Sequence, residues 1–266
     1  MKIGIFDSGV GGLIMLRAIR KKLPAYDYLY LGDTKHVPYG NRSQKEIFNF
    51  TKQGVEYLFK KDCALIIIAC NSASSRALRR LQREWLPKHY PARKILGVII
   101  PTAEAALISR LRRVGVLATK ATTASKSFVK ELKKLDKRVQ IVQQSAPLLV
   151  PLIEAGKIQE CKRVLPRYLK SLLQKKVQTI ILGCTHYPII KKLVRKLVPR
   201  MVTIISQDEI IPQKLAFYLK KHKEIEKVLS HHTKLEIDLS KITPQFKVLV
   251  LKWFGTVKSI EKVKFS

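Results

Sequence analysis

The 266-residue chain has few cysteines, no long apolar run and no nucleotide-binding signature. Its four cysteines, at positions 63, 70, 161 and 184, are too scattered for a disulfide framework, and no pair has zinc-finger spacing. No stretch approaches the roughly 18 apolar residues of a membrane helix, and the first residues lack a signal-peptide pattern. The glycine-rich stretch 9–12 matches neither GxGxxG nor GxxxxGK[ST]. We therefore expect a reduced cytoplasmic protein without a metal site or a membrane partner.

Acidic residues are also scarce, since 19 Asp and Glu stand against 52 Lys and Arg and give a net charge of +33. A basic surface is typical of nucleic-acid-binding proteins, so this role stays open as a hypothesis from outside the enzyme class. The basic residues nevertheless occur in short clusters, such as Lys130, Lys133 and Lys134, whose spacing indicates solvated helix faces. We expect nucleic-acid contact, if any, to be weak and unspecific.

Short continuous runs of Ile, Val and Leu alternate with segments of helical periodicity. Continuous apolar runs predict parallel strands that are buried on both faces, because a half-exposed strand would alternate apolar and polar residues. The predicted strands are 3–6, 28–31, 65–69, 95–100, 114–118, 139–142, 179–182 and 202–205, and the predicted helices are 12–22, 43–60, 74–85, 102–110, 125–135, 158–175 and 188–197. The predicted fold class is α/β, with mainly parallel sheets covered by helices.

A faint internal duplication predicts two similar lobes. The segment IGIFDSG from Ile3 resembles VGVLATK from Val114, an offset of 111 residues, and IIIACNSAS resembles TIILGCTHY with an offset of 114 residues from Cys70 to Cys184. We expect the two lobes to face each other across a cleft that holds the active site. The predicted first lobe comprises residues 1–95 plus 208–266, and the predicted second lobe comprises 96–207.

Cys70 and Cys184 each follow a predicted strand and precede polar residues that can open a helix. A helix N-terminus stabilises negative charge, so we expect the pKa of these thiols to be depressed. The same amide groups could hold a carboxylate. Cys63 and Cys161 lack such neighbours and are interpreted as packing residues.

Three chemistries compete for these thiols. A Cys-His hydrolase would use Cys184 with His186 as the base and leave Cys70 idle. A metal site would combine both thiols with His186, although the spacing matches no common zinc pattern. In the third scheme, one thiolate removes a proton from a substrate carbon while the opposite thiol donates one. Only this third scheme explains the duplication, because inversion of a stereocentre needs an acid and a base on opposite faces.

Six ordered blocks give the sequence a specific resemblance: GIFDSGVGG (4–12), YLGDTKHVPYGNRS (30–43), IIACNSAS (67–74), GVLATKATTAS (115–125), PLLVPLIEAG (147–156) and ILGCTHYP (182–189). They resemble the glutamate racemases of the aspartate/glutamate racemase family. The resemblance implies cofactor-independent interconversion of L- and D-glutamate, with D-glutamate supplied for peptidoglycan, cell wall biogenesis and cell shape. Two alternatives stay open, an aspartate racemase-like enzyme and a basic nucleic-acid-binding or topoisomerase-interacting protein. A homodimer stays open as the protein partner.

The resemblance also implies roles for individual residues. The implied catalytic residues are Cys70, Cys184, Asp7, His186 and Glu154. The implied substrate-binding residues are Asp7, Ser8, Tyr39, Gly40, Asn71, Ser72, Thr119, Thr122, Thr185 and His186. Local interpretations compete with some of these roles, because Asp7 could cap a helix, Tyr39-Gly40 could form an ordinary turn and Glu154 could be a surface acid.

Two departures from the family pattern stand out. Ser72 takes the place of a threonine, which keeps the hydroxyl and loses a methyl group. The segment IISQDEII at 204–211 replaces an Asp-Ser-Gly/Ala-like turn.

Overall fold

Ten strands form two sheets in the computed structural model, which describes residues 1–108 and 111–265. In chain order the strands are β1 (Lys2–Asp7), β2 (Tyr28–Gly32), β3 (Cys63–Ile68), β4 (Lys94–Gly97), β5 (Arg113–Ala118), β6 (Gln140–Ser145), β7 (Thr179–Gly183), β8 (Thr203–Ser206), β9 (Leu235–Leu239) and β10 (Glu261–Lys262). The strand order is β10-β9-β2-β1-β3-β4 in the larger sheet and β6-β5-β7-β8 in the smaller one. Each sheet with its covering helices forms one lobe, the first lobe around the larger sheet and the second lobe around the smaller.

The two sheets repeat one topology. The order β2-β1-β3-β4 in the first lobe corresponds strand by strand to β6-β5-β7-β8 in the second, and the pairings are parallel. Strands β3 and β7 are buried along their whole length, as expected of parallel strands covered on both faces. The predicted α/β fold class with two similar lobes is confirmed, and the sequence duplication corresponds to this repeated sheet.

Helices cover both sheets. They are α1 (Gly12–Lys22), α2 (Gln44–Lys60), α3 (Asn71–Arg76), α4 (Leu78–Arg80), α5 (Leu86–His89), α6 (Ile99–Leu107), α7 (Lys120–Ser125), α8 (Ser127–Leu135), α9 (Leu149–Glu154), α10 (Ile158–Gln174), α11 (Lys191–Leu197), α12 (Gln207–Lys221), α13 (Lys223–Glu226) and α14 (Pro244–Trp253), with 3₁₀ turns at Tyr39–Asn41 and Tyr187–Ile190 and a π-helical turn at Leu81–Trp85. Helix α2 begins with a capping box, in which the Ser43 hydroxyl accepts from the Glu46 N–H and the Glu46 carboxylate accepts from the Ser43 N–H.

Several predicted boundaries were wrong. The strand predicted over 95–100 ends at Gly97, and α6 begins at Ile99, because Pro101 falls in the first helical turn, where no backbone donor is needed. The helix predicted over 74–85 begins earlier, at Asn71. The helix predicted over 125–135 is divided by Lys126, whose φ of 55° is left-handed. Positions 109 and 110 of the helix predicted over 102–110 lie outside the described residues.

The C-terminal segment, for which the sequence analysis predicted no strand or helix, extends the first lobe. Strand β9 pairs with β2, and β10 pairs with β9. Helices α12 and α14 pack against α1, and α12 also packs against α6. The lobe boundaries at 95/96 and 207/208 stay a prediction.

Candidate active site

A cavity of about 50 Å³ lies between the two lobes, at the carboxyl ends of both sheets. Cys70 follows β3 and Cys184 follows β7, which are equivalent strands of the repeated topology. Both cysteines line this cavity. The other lining residues are Ser8, Val37, Pro38, Tyr39, Gly40, Asn41, Asn71, Ser72, Thr119, Lys120, Ala146, Pro147, Val150, Pro151, Glu154, Thr185 and His186. The fold therefore brings nearly all the site residues predicted from the sequence to one place.

Cys70 is held at the start of α3 in the first lobe. Its sulfur caps this helix by accepting from the Ala73 N–H at 3.5 Å, and its thiol donates to Ser8 Oγ at 3.3 Å. Burial, followed by the negative charge of Asp7, raises the pKa of Cys70 to about 12 against the opposing effect of the two hydrogen bonds. The expectation of a depressed pKa at this helix N-terminus is therefore wrong, because desolvation outweighs the helix.

Cys184 has a different neighbour, the imidazole of His186. The His186 Nδ1 atom lies 3.8 Å from the Cys184 sulfur, and its Nε2 atom lies 2.9 Å from a Glu154 carboxylate oxygen. Burial lowers the pKa of His186, but hydrogen bonds to Cys184 and Glu154 outweigh burial and raise the pKa to about 10. The raised pKa favours the imidazolium form of His186, which is flanked by a sulfur and a carboxylate.

The chain after Cys184 does not open a helix directly. Residues 184–186 form a turn, and the Tyr187–Ile190 segment that follows is a 3₁₀ helix. The expectation of a helix N-terminus at this thiol is therefore wrong. Pro188 in the first turn lacks an N–H group, and the local charge comes from the side chain of His186 instead.

Asp7, which is fully buried at the end of β1, contacts both lobes. One carboxylate oxygen accepts from the N–H groups of Gly9 at 3.2 Å and Gly12 at 3.1 Å, and the other accepts from Thr185 Oγ1 at 3.4 Å. Burial raises the pKa of Asp7, while the charge of His186 and these hydrogen bonds lower it, and the net direction is upward. Asp7 thus caps the start of α1, as the local interpretation held, and also reaches across to the second lobe.

The close approach of the lobes depends on a glycine. A Cβ atom added to Gly11 would lie 2.5 Å from two ring atoms of His186 and 2.8 Å from Thr185 Oγ1. The glycine-rich stretch 9–12 therefore allows the imidazole to pack directly against the start of α1.

Hydroxyl groups connect the lobes on the other side of the cavity. Ser72 Oγ in the first lobe lies 2.9 Å from Thr119 Oγ1 in the second, and Thr119 Oγ1 lies 3.1 Å from Thr122 Oγ1. Thr122 is fully buried behind Thr119 and is not among the cavity-lining residues. Of the predicted site residues, Thr122 and Asp7 are therefore behind the lining, while the others form it.

Two polar residues that support the site were missed by the sequence reasoning. The buried carboxylate of Asp33 accepts from the Tyr39 hydroxyl at 2.6 Å and lies 2.9 Å from His36 Nδ1. The buried amide of Gln207 pairs with that of Asn71. Asp33 carried a signal in the quoted block YLGDTKHVPYGNRS, whereas Gln207 lay in a segment that departs from the family pattern.

A sequence model of the Asp/Glu/Hydantoin racemase family matches residues 5–210. The chain belongs to this family.

The resemblance identified in the sequence and the prediction of an amino-acid racemase, an isomerase, are confirmed. The chain is 42% identical over 215 residues to the glutamate racemase of Sulfurihydrogenibium sp. (strain YO3AOP1), a match that covers 79% of this chain and 80% of that protein. Its fold is similar to the crystal structure of glutamate racemase from Francisella tularensis in complex with D-glutamate, with a TM-score of 0.89, 29% identity and coverage of 99% of this chain and 97% of that one. A Picrophilus torridus aspartate racemase, at 18% identity, a TM-score of 0.59 and coverage of 96% and 100%, shares the fold alone.

A second, larger cavity of about 370 Å³ lies between α3, α6, α8 and α12 of this family member. Its lining mixes apolar side chains with both charge signs, including Glu104, Glu131 and Lys214, and its described lining contains no cysteine. The smaller cavity, which holds both thiols, is therefore the candidate active site.

Within residues 1–108 and 111–265, no group of three or more His, Cys, Asp and Glu side chains could hold a metal ion. None of the helices in those ranges is long and apolar enough to cross a bilayer. The absence of a cofactor stays a prediction.

Proposed function

We propose that the chain interconverts L- and D-glutamate without a cofactor, by proton transfer between the substrate α-carbon and two cysteines. The observation that carries this proposal is the presence of Cys70 and Cys184 at equivalent positions of two repeated sheets, lining one cavity. A pair of thiols on opposite sides of one carbon supplies the acid and the base that inversion requires.

The proposed reaction is balanced in both directions. One thiolate removes the α-proton, so that the C–H bond breaks, an S–H bond forms and the electron pair remains on the α-carbon, delocalised toward the carboxylate. The opposite thiol then gives its proton to the other face of that carbon and becomes a thiolate. The reverse reaction exchanges the two roles, and no electron leaves the substrate.

The unlike environments of the two sulfurs suit opposite starting states. The pKa of Cys70, which burial raises to about 12, favours the thiol form, and a thiol is the form that can donate a proton. The sulfur of Cys184 lies beside the imidazolium of His186, which is the cation that a thiolate at this position would pair with. We infer that Glu154 keeps His186 protonated, and that Asp7 balances its charge from the first-lobe side.

The substrate carboxylates would be bound by neutral donors, beside the charged groups of Lys120 and His186 in the same lining. The cavity is lined by the hydroxyls of Ser8, Ser72, Thr119 and Thr185, and by the amide of Asn71. Hydroxyl and amide groups can donate to a carboxylate without a fixed positive charge. The Tyr39-Gly40 turn forms another part of the wall, and Thr122 would hold Thr119 in place from behind.

We also propose that the D-glutamate formed here supplies bacterial peptidoglycan, which rests on the resemblance to the glutamate racemases. Cytoplasmic location and a homodimer stay predictions from the sequence.

The test is circular dichroism or polarimetry on L-glutamate and L-aspartate with purified protein, no added cofactor and a chelator present. We expect loss of optical activity with glutamate and little change with aspartate. Faster racemisation of aspartate would assign the chain to the alternative substrate. Activity lost to the chelator and restored by zinc would contradict the cofactor-free scheme.

A further inference from the structure

The side chain of Gln207 joins the lobes through Asn71, the residue that follows Cys70. Gln207 is the first residue of α12, directly after β8, and is 1% exposed. Its amide oxygen accepts from Asn71 Nδ2 at 2.7 Å, and its amide nitrogen donates to Asn71 Oδ1 at 2.9 Å and to Thr102 Oγ1 at 3.2 Å. One buried amide therefore links α12 to α3 and to α6.

Asn71 connects Gln207 to the active-site cavity. It is the first residue of α3, follows Cys70 directly, lines the cavity and is 2% exposed. The reciprocal pair with Gln207 uses one donor and one acceptor of the Asn71 amide, which fixes the amide plane. The remaining N–H of the Asn71 amide is then held in a single direction, and the first turn of α3 is fixed with it.

We propose that Gln207 is a positioning residue for the Cys70 half of the active site, acting through Asn71 and the first turn of α3. The proposal rests on the proposed two-thiol function for its catalytic consequence, and on the geometry alone for the position of the thiol. Removing the Gln207 amide leaves the buried Asn71 amide without a hydrogen-bond partner. Because burying an unpaired amide costs free energy, the Asn71 side chain should rotate toward another partner or admit a water molecule. Either change shifts the first turn of α3, and with it the Ala73 N–H that the Cys70 sulfur accepts from.

The effect should be confined to one side of the site. Cys184 is held by the turn after β7 and by His186, neither of which hydrogen-bonds to Gln207. A shift in α3 therefore alters proton transfer at Cys70 more than at Cys184. A residue that only stabilised the fold would lower the folded fraction and leave the two sulfurs equally affected.

The experiment compares Gln207→Met, which keeps the volume and loses the amide, with Gln213→Met at an exposed position of the same helix. Alkylation by iodoacetamide without glutamate, followed by mass spectrometry, gives the ratio of Cys70 to Cys184 reactivity. We expect this ratio to change several-fold in Gln207→Met and to stay constant in Gln213→Met. An unchanged ratio in a folded Gln207→Met protein would overturn the proposal.

Racemisation supplies the second readout. We expect kcat to fall about ten-fold in Gln207→Met, since a misplaced catalytic group costs up to about a hundred-fold. The α-deuterium isotope effect should rise for the enantiomer that Cys70 deprotonates and fall for the other. Equal isotope effects from both enantiomers, unchanged from the parent protein, would also overturn the proposal. Absence of racemisation in the parent protein would refute the proposed function, while the alkylation ratio would still test Gln207.

Two further measurements cover a Gln207→Met protein that does not fold. Gln207→Glu keeps the acceptor for Asn71 Nδ2 and loses both donors, so its alkylation ratio should lie between those of the parent and Gln207→Met. In the parent protein, the side-chain amide protons of Gln207 should exchange slowly with solvent by NMR. Rapid exchange of these protons would mean that the pair with Asn71 is not kept in solution, and the proposal would be dropped.

Discussion

The Cys70 side and the Cys184 side occupy equivalent positions in a repeated sheet, yet their surroundings have little in common. Cys70 lies at a helix start and contacts the Ser8 hydroxyl and a backbone N–H. Cys184 lies in a turn beside His186, which in turn contacts Glu154. The strand topology therefore places one sulfur from each lobe at the same cavity, whereas the side chains around them differ. Burial raises the pKa of Cys70, and an imidazole lies beside Cys184.

The largest effect is expected from removing either thiol. Cys70→Ser and Cys184→Ser should each reduce racemisation by about a thousand-fold or more, because a hydroxyl is a much weaker acid than a thiol and general acid–base catalysis is lost. Glutamate binding, measured by calorimetry, should persist in both variants. The control is Cys161→Ala, which removes a buried thiol from α10, outside the cavity lining, and should leave kcat unchanged. Normal turnover in either serine variant would remove the two-thiol scheme.

The next effect separates the two sides. Asp7→Asn and His186→Asn should each lower kcat/KM by about a hundred-fold. The fall must be equal from L- and D-glutamate, because a catalyst cannot move the equilibrium. The α-deuterium isotope effect should rise for the enantiomer deprotonated by the impaired side and fall for the other, with opposite patterns in the two variants.

The hydrogen bond from Thr185 to Asp7 joins the two sides of the site. The comparison of Asp7→Asn with His186→Asn therefore tests whether each residue serves its own thiol. Thr185 neighbours Cys184, whereas the charge of Asp7 raises the pKa of Cys70. Identical isotope patterns in Asp7→Asn and His186→Asn would show that these two residues do not serve separate thiols, and the assignment of one polar partner to each thiol would be abandoned.

A smaller, pH-dependent effect is expected from Glu154→Gln. Glu154 helps to raise the pKa of His186 to about 10, so activity that needs the imidazolium should fall as the pH rises through that value. In Glu154→Gln this alkaline limb should shift to lower pH by about one unit, in line with the loss of one charged hydrogen bond. A pH–rate profile of kcat/KM checks the shift, and coincident profiles would exclude the role of Glu154.

The pair of Glu154 and His186 should also contribute to the stability of the protein. A pKa raised above the ordinary imidazole value of 6.5 stabilises the fold fully below that pH, and this contribution is lost as the pH rises through about 10. The difference in unfolding free energy between the parent and Glu154→Gln should therefore stay at its full size up to about one pH unit below the His186 pKa and be lost as the pH rises through about 10, as measured by denaturant titration. A difference that stays constant with pH would mean that the charge on His186 does not drive it.

The smallest effect is expected far from both thiols. Lys133 and Lys134 are exposed on α8, and their reversal to Glu should leave racemisation unchanged. Duplex DNA should bind weakly, without sequence preference and with a steep salt dependence, if the +33 charge is mainly a solvated coat. Tight, sequence-selective binding at physiological salt in a filter or anisotropy assay would favour the nucleic-acid hypothesis.

The sequence predicted the elements that carry the thiols better than the contacts around them. The apolar runs before Cys70 and Cys184 predicted β3 and β7, because a strand buried on both faces is a continuous run of apolar residues along the chain. The break at Lys126 and the early end of β4 were missed, because helix boundaries depend on single backbone conformations that periodicity does not report.

The contacts of Glu154 with His186 and of Gln207 with Asn71 could not be predicted from local sequence pattern, because they join distant segments of the chain. The resemblance assigned Glu154 to the neighbourhood of the second thiol, but its partner atom could be named only from the folded chain. Gln207 lay in a divergent segment and was assigned no function from the sequence. In the folded chain it forms a buried pair with Asn71, which lies 136 residues earlier.

By itself, the sequence determined the parallel α/β lobes, their duplication and the two thiols that follow equivalent strands, because these features depend on residues that are neighbours along the chain. Only the tertiary structure decided the chemical character of each thiol. Burial raises the pKa of Cys70 where its helix position alone predicted a fall, and the charge beside Cys184 comes from an imidazole held by Glu154. Desolvation and charge pairing sum over every atom near the sulfur, and those atoms come from distant segments that meet only when the two lobes pack together.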